Sequence, residues 1–79
     1  MNNLEKYNAA FKEALEISDD MDLSELEYQK IQTWDSIGHM ALISELEDSF
    51  GIEFETDDII DFSSYKKGKE IIQKYGVEV

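Results

Sequence analysis

A serine and a histidine at the start of a predicted helix are the side chains of this sequence best suited to chemistry. Ser36 and His39 lie three positions apart in the segment WDSIGH. Residues at this spacing share roughly one face of a helix, as a nucleophile and its general base must. The sequence shows no third member of a catalytic triad and no oxyanion site. We therefore predict no enzymatic activity, and the simplest interpretation of Ser36 is a helix N-cap.

The segment that follows Ser36 has the pattern of an amphipathic helix. Apolar residues recur at helical spacing, while acidic side chains fall on the other side. Gly51 suits the left-handed position that ends many helices. The pattern predicts a helix from Ser36 to Phe50. The expected core-facing residues are Met40, Leu42, Ile43, Leu46 and Phe50.

Apolar spacing also predicts a first helix, ending near Ile17. Its core stripe comprises Leu4, Tyr7, Phe11, Ala14 and Leu15. The connection from there to Trp34 is long for so small a domain. Ser24 and Glu27 have the spacing of a capping box, which predicts a short helical turn over Glu25 to Lys30. Leu23, Leu26, Ile31 and Trp34 are expected to pin this connection to the core.

Two further helices are predicted in the C-terminal part of the chain. Thr56 or Asp57 caps a short third helix with Ile59, Ile60 and Phe62 facing the core. The last helix begins near Ser63 or Ser64, and Gly76 closes it. Its apolar residues are Tyr65, Ile71, Ile72 and Tyr75. The expected fold is all-α, a single domain over residues 1–79 with three longer helices, one short helix and a long first loop.

The charge of the chain is strongly negative and unevenly placed. Nineteen acidic residues face seven lysines, with no arginine, for a net charge of −12. Nucleic acid is excluded as a partner, because binding phosphates requires clustered basic residues. Residues 35–62 carry −9 and no positive residue. Such a surface attracts basic partners at a distance or simply keeps the protein soluble.

Location, metal binding and sulfur chemistry are also constrained. The chain has no cysteine, so any sulfur chemistry requires an attached cofactor. Asp20-x-Asp22-x-Ser24 imitates the start of a calcium loop, but Glu25 and Ile31 occupy the positions where glycine and a bidentate glutamate are required. We predict no metal site.

The first residues do not form a signal peptide and no apolar stretch reaches the roughly 20 residues of a membrane span, so we expect a soluble, cytoplasmic monomer.

The stretch DSIGHMALISELEDSFGIEF resembles acyl carrier proteins. The shared features are Asp-Ser followed by an aliphatic residue at the start of an acidic helix, then Leu-Glu-x-x-Phe-Gly-Ile and a short third helix. The resemblance covers roughly residues 30–75, and the chain length and acidity agree with it. It implies the four-helix fold of that family and a carrier function.

The resemblance implies that Ser36 receives the 4′-phosphopantetheine arm of coenzyme A from a phosphopantetheinyl transferase. The terminal thiol of the arm would then hold an acyl group as a thioester. A serine at a helix N-terminus suits this chemistry, because free N–H groups and the helix dipole tolerate an attached phosphate. Asp35 would help the transferase position magnesium or the serine, or would be a second capping carboxylate.

The same resemblance implies partner contacts along the second helix. Ile37 would be an apolar contact, and Glu45, Glu47 and Asp48 would dock onto basic rims around the active sites of acyl-activating, acyl-transferring or synthase enzymes. We interpret His39 as a partner-facing or helix-surface residue.

The chain also departs from many fatty-acid carriers. Those carriers have acidic residues in the two turns after the serine, where this chain has Gly38, His39 and Ala41. The departure favours a dedicated pathway, such as surface-polysaccharide or secondary-metabolite assembly, over housekeeping fatty-acid synthesis. An aminoacyl or peptidyl carrier remains an alternative, and so does an unmodified acidic interaction module.

Overall fold

The computed structural model describes residues 2–79 as a bundle of four helices. These are α1 (Asn3–Leu15), α2 (Ser36–Phe50), α3 (Thr56–Asp61) and α4 (Tyr65–Lys74). The predicted all-α architecture, with three longer helices, one short helix and a long first loop, is confirmed. Within the described residues, no helix has both the length and the apolar character that a bilayer crossing requires.

The core lies between α1, α2 and α4 and is rich in aromatic rings. Phe11 is at its centre, with ring centroids of Tyr7, Tyr65 and Trp34 at 5.0, 5.3 and 5.5 Å. Edge-to-face contacts at such distances add to the burial of apolar area. Trp34 belongs to the first loop and is fully buried, so it anchors the end of that loop beside the start of α2.

Three residues predicted for the core are instead exposed: Leu4 at 40%, Met40 at 50% and Ile60 at 72%. Met40 lies two positions before Leu42, which places the two on opposite sides of α2. In the six-residue helix α3, Asp58 is buried and Ile59 is half-buried, so Ile60 faces solvent.

The first loop contains turns but no helix, so the helical turn predicted over residues 25–30 is wrong. Ser24 does not cap it: Asp22 Oδ1 accepts hydrogen bonds from the Ser24 hydroxyl at 2.7 Å and from its backbone N–H at 3.0 Å. These two bonds lower the pKa of Asp22. Leu23 and Leu26 are buried as expected. A local side-chain turn thus replaced the capping box.

The end of α1 and the start of α3 also differ from prediction. α1 ends at Leu15, because Glu16 adopts a left-handed conformation with φ of 54°. The N-cap of α3 is Glu55, which makes no capping bond through its side chain. α3 is held instead by Asp58, which pairs with two residues at the end of α4. Its Oδ1 accepts from Lys74 Nζ at 2.6 Å and its Oδ2 from the Tyr75 hydroxyl at 2.6 Å.

Candidate functional site

Ser36 is the first residue of α2, and its side chain is exposed. The N-cap is Asp35, whose Oδ1 accepts a hydrogen bond from the Gly38 N–H at 2.9 Å. The interpretation of Ser36 as an N-cap is therefore wrong, and the capping role considered for Asp35 is confirmed. Within residues 2–79 the Ser36 hydroxyl makes no hydrogen bond to another group. Its oxygen is left free at the positive end of a helix.

The N-terminus of α2 offers a favourable setting for negative charge at Ser36. The helix is 15 residues long and has no acidic residue in its first turn. Asp35 already satisfies the N–H of Gly38, while the N–H groups of Ser36 and Ile37 precede the first intrahelical bond. Partial positive charge at these groups stabilises a phosphate on a neighbouring oxygen.

His39 is half-buried and bonded on both sides of its ring. Nδ1 lies 3.0 Å from Trp34 Nε1, and Nε2 lies 2.8 Å from the carbonyl oxygen of Ile59. The predicted location on the helix surface is therefore wrong, because the ring turns inward between the first loop and α3. Both nitrogens are engaged away from Ser36, so the Ser36 and His39 pair does not have the geometry of a nucleophile and its base.

Gly38 was missed as a structural residue of the site. A Cβ at this position would overlap the carbonyl oxygen of Thr33, so only glycine lets the first loop approach α2 this closely. A glycine inside a strongly predicted helix is the sequence signal that could have identified this contact. Gly38 and His39 are therefore structural residues of the Ser36 turn.

The exposed stripe of α2 is mainly apolar and neutral. It consists of Ile37, Met40, Ala41, Ser44 and Asp48. Ile37 is 80% exposed, which confirms its predicted position on an open turn.

The predicted acidic recognition residues do not share one surface. Of the three, only Asp48 lies on the exposed stripe of α2, and Glu45 and Glu47 are half-buried at its edges. Glu47 Oε2 accepts a hydrogen bond from the Phe54 N–H at 2.9 Å, which ties α2 to the segment before α3. Their roles in recognition stay predictions.

A shallow pocket of about 210 Å³ opens between α2 and α3. Its lining residues are Tyr28, His39, Ile59, Ile60, Phe62 and Ser63. His39 is the lining residue from α2, and it lies one helical turn beyond Ser36. Its walls are mostly apolar side chains, which favour an apolar group over a charged one.

Comparison of the chain with models of known protein families, with curated proteins and with solved structures found no match.

Proposed function

We propose that this protein is an acyl carrier whose Ser36 bears a 4′-phosphopantetheine arm. The observation that carries the proposal is the exposed Ser36 hydroxyl. This hydroxyl does not cap α2, because Asp35 is the N-cap. A hydroxyl that the fold does not use, at a helix N-terminus, is suited to a covalent phosphate group. The resemblance of the segment around it to acyl carrier proteins supplies the identity of the group.

The proposed modification is a phosphoryl transfer from coenzyme A. The Ser36 Oγ attacks the phosphorus next to the pantetheine, a new O–P bond forms, and the pyrophosphate bond of coenzyme A breaks. The nucleotide portion leaves, and a base of the transferase removes the hydroxyl proton. The arm then supplies the thiol that the cysteine-free chain lacks. Asp35 stays a candidate for positioning magnesium in that reaction, besides its capping role.

The surfaces near Ser36 fit a carrier that visits several enzymes. Ile37 and Met40 form an apolar centre on the exposed stripe of α2, and Asp48 adds a charge at its far end. Apolar contacts near the centre of a transient interface govern its lifetime, whereas charges at its rim govern the rate of encounter. The pocket between α2 and α3 would shelter the first carbons of an apolar cargo. Basic rims on the partner enzymes would complement the charge of residues 35–62.

We further propose that this carrier serves a dedicated cytoplasmic pathway. The replacement of acidic residues by Gly38, His39 and Ala41 after the serine supports such a pathway, in surface-polysaccharide or secondary-metabolite assembly, over general fatty-acid synthesis. An aminoacyl cargo would use the same Ser36 chemistry.

Intact mass spectrometry tests the proposal. The purified chain is incubated with coenzyme A, magnesium and a promiscuous phosphopantetheinyl transferase. We expect a single added phosphopantetheine on the wild type and none on Ser36→Ala. Ser64→Ala is the matched control, since Ser64 also begins a helix, and it should be modified like the wild type. A wild-type chain that gains no mass would contradict the carrier function and favour an unmodified interaction module.

A further inference from the structure

The imidazole of His39 connects three parts of the molecule that meet beside Ser36. An indole nitrogen can only donate a hydrogen bond, and a carbonyl oxygen can only accept one. The contacts of Nδ1 with Trp34 and of Nε2 with Ile59 therefore require one neutral tautomer, with the hydrogen on Nε2. Among residues 2–79 no carboxylate forms an ion pair with this ring. His39 thus acts here as a two-sided hydrogen-bonding bridge.

Both ends of the bridge are groups that need a partner. Trp34 is fully buried, and His39 is the partner of its indole N–H. Ile59 lies in the last turn of α3, where the final four carbonyl groups of a helix have no intrahelical donor. A buried donor and an unpaired helix carbonyl are costly when left without hydrogen bonds. One ring satisfies both, so α2 cannot shift against the loop or α3 without losing them.

The bridge spans the segment that carries Ser36. Trp34 precedes Ser36 by two residues and His39 follows it by three, so their hydrogen bond closes residues 34–39 into a ring. Inside this ring Asp35 makes two further bonds: its side chain accepts from Gly38 N–H, and its carbonyl oxygen accepts from His39 N–H at 2.8 Å. The exposed Ser36 hydroxyl is therefore presented on a segment anchored at both ends.

We propose that His39 is a positioning residue for Ser36, which fixes the direction of its hydroxyl by tying the Ser36 turn to Trp34 and to α3. This inference rests on the proposed function. Since both ring nitrogens are bonded inside the protein, His39 offers no free polar atom to a transferase. Loss of the bridge should therefore lower the turnover number for modification of Ser36 and leave the KM for the protein substrate nearly unchanged. Loss of a residue that docks the transferase would instead raise the KM and leave the turnover number nearly unchanged.

Three variants distinguish the loss of the His39 hydrogen bonds from the loss of side-chain packing. His39→Leu keeps an apolar side chain of moderate size but removes both hydrogen bonds. His39→Gln retains one acceptor and one donor on a flexible amide. Trp34→Phe keeps a buried aromatic ring and removes only the indole N–H. Ile71→Val is the control for loss of core packing, since Ile71 is a buried residue of α4.

The measurement is the kcat and KM of coenzyme A-dependent modification of each folded variant. Misplacing a reacting group by about 1 Å can cost up to about 100-fold in rate. We expect His39→Leu and Trp34→Phe to lower kcat by roughly 10-fold or more, with KM within about two-fold of the wild type. His39→Gln should recover most of the rate, and Ile71→Val should match the wild type.

A second readout does not depend on modification. The chain has one tryptophan, so its indole N–H gives a single NMR signal. Exchange of this hydrogen and of the Gly38 and His39 amides, which are both bonded to Asp35, should be slow in the wild type and in His39→Gln, and faster in His39→Leu.

The outcomes distinguish the inference from the function on which it rests. If the wild type is modified and both His39→Leu and Trp34→Phe retain its kcat, the positioning role is overturned while the carrier function stands. Should His39→Leu fail to fold, Trp34→Phe alone decides in the same way. A wild-type chain that is never modified overturns both.

Discussion

α2 and α4 each begin beside a serine, and the two positions differ in how the first turn is closed. In α4, Ser64 is the N-cap, and its Oγ accepts a hydrogen bond from the Lys67 N–H at 2.9 Å. In α2 the cap is Asp35, and Ser36 follows it as the first helical residue. The hydroxyl of Ser64 is used to cap α4, whereas that of Ser36 makes no capping bond. A carboxylate one residue earlier is thus what makes a helix-starting serine available for chemistry.

The third helical positions differ as well. In α2 this position is Gly38, which lies against the carbonyl of Thr33, and in α4 it is Lys67, which is exposed. The backbone around Ser64 is also bonded to the first loop, through Tyr28 N–H to Ser63 O and Tyr65 N–H to Leu26 O. The difference lies at the third helical position, which is packed against that loop in α2 and faces solvent in α4. This contrast predicts how sensitive each turn is to substitution.

The largest effect on stability is expected from Gly38→Ala. The added methyl group would collide with the Thr33 carbonyl, which is backbone and can move only with its loop. Overpacking of this kind costs about 1–3 kcal/mol of the free energy of unfolding. The matched control Lys67→Ala should change it by less than about 0.5 kcal/mol. Urea unfolding of both variants checks the prediction, and equal midpoints would mean that the Ser36 turn is no more tightly packed than the Ser64 turn.

Removal of either cap should cost less and should cost the two helices similarly. Asp35→Ala and Ser64→Ala each lose a bond to a backbone N–H, with an expected loss of about 1 kcal/mol in the free energy of unfolding. Asp35→Asn retains an acceptor oxygen and should recover most of the loss. If Asp35→Ala is as stable as the wild type, Ser36 must be able to take over the cap, and the contrast between the two serines fails.

The sequence predicted the helices well and the special contacts poorly. α2 has the predicted bounds, because Gly51 and the apolar spacing act locally within the helix. Met40 and Ile60 were assigned to the core, since periodicity alone cannot tell which apolar side of a helix lacks a neighbour. The bridge through His39 joins residues 20 positions apart, and no local pattern encodes it.

At the candidate site, too, the sequence predicted the important residues but not all of their contacts. The sequence identified Ser36 and Asp35 as the residues of interest, but it favoured Ser36 as the N-cap of α2, and the N-cap is Asp35. Both residues are good N-caps, and their intrinsic preferences do not decide between them. The choice depends on where the Trp34 anchor places the chain, which only the packed structure shows.

A smaller effect on stability is expected at the C-terminal end of α4, where Asp58 of α3 bonds to Lys74 and Tyr75. Hydrogen bonds from Lys74 and then Tyr75 lower the pKa of Asp58 below its ordinary value of 3.8. Since this pKa is lower in the folded than in the unfolded state, the pair stabilises the fold above about pH 4, and that contribution is lost as the pH falls through the lowered pKa. Asp58→Asn should thus lower the melting temperature at pH 7, and the difference from the wild type should shrink as the pH falls below about 4. Parallel melting curves at all pH values would contradict this account.

Recognition should depend on the exposed stripe of α2 with little effect on stability. Asp48→Lys should slow modification of Ser36, more strongly at low salt, because the charge acts through long-range attraction. Ile37→Ala should weaken binding to the transferase with little dependence on salt. Glu47 is a poor residue for this test, since its bond to Phe54 N–H makes any change there structural as well. Modification rates at low and high ionic strength check both expectations, and equal rates for Asp48→Lys and the wild type at low salt would limit its charge to solubility.

The most direct test of the central claim is the paired measurement of stability and modification in Ser36→Ala and Ser64→Ala. We propose that the Ser36 hydroxyl has no structural role and is the attachment point. We predict that Ser36→Ala unfolds within about 0.5 kcal/mol of the wild type and gains no phosphopantetheine, whereas Ser64→Ala is destabilised by about 1 kcal/mol and is fully modified. A Ser36→Ala variant that is still modified, or that loses as much stability as Ser64→Ala, would contradict the claim.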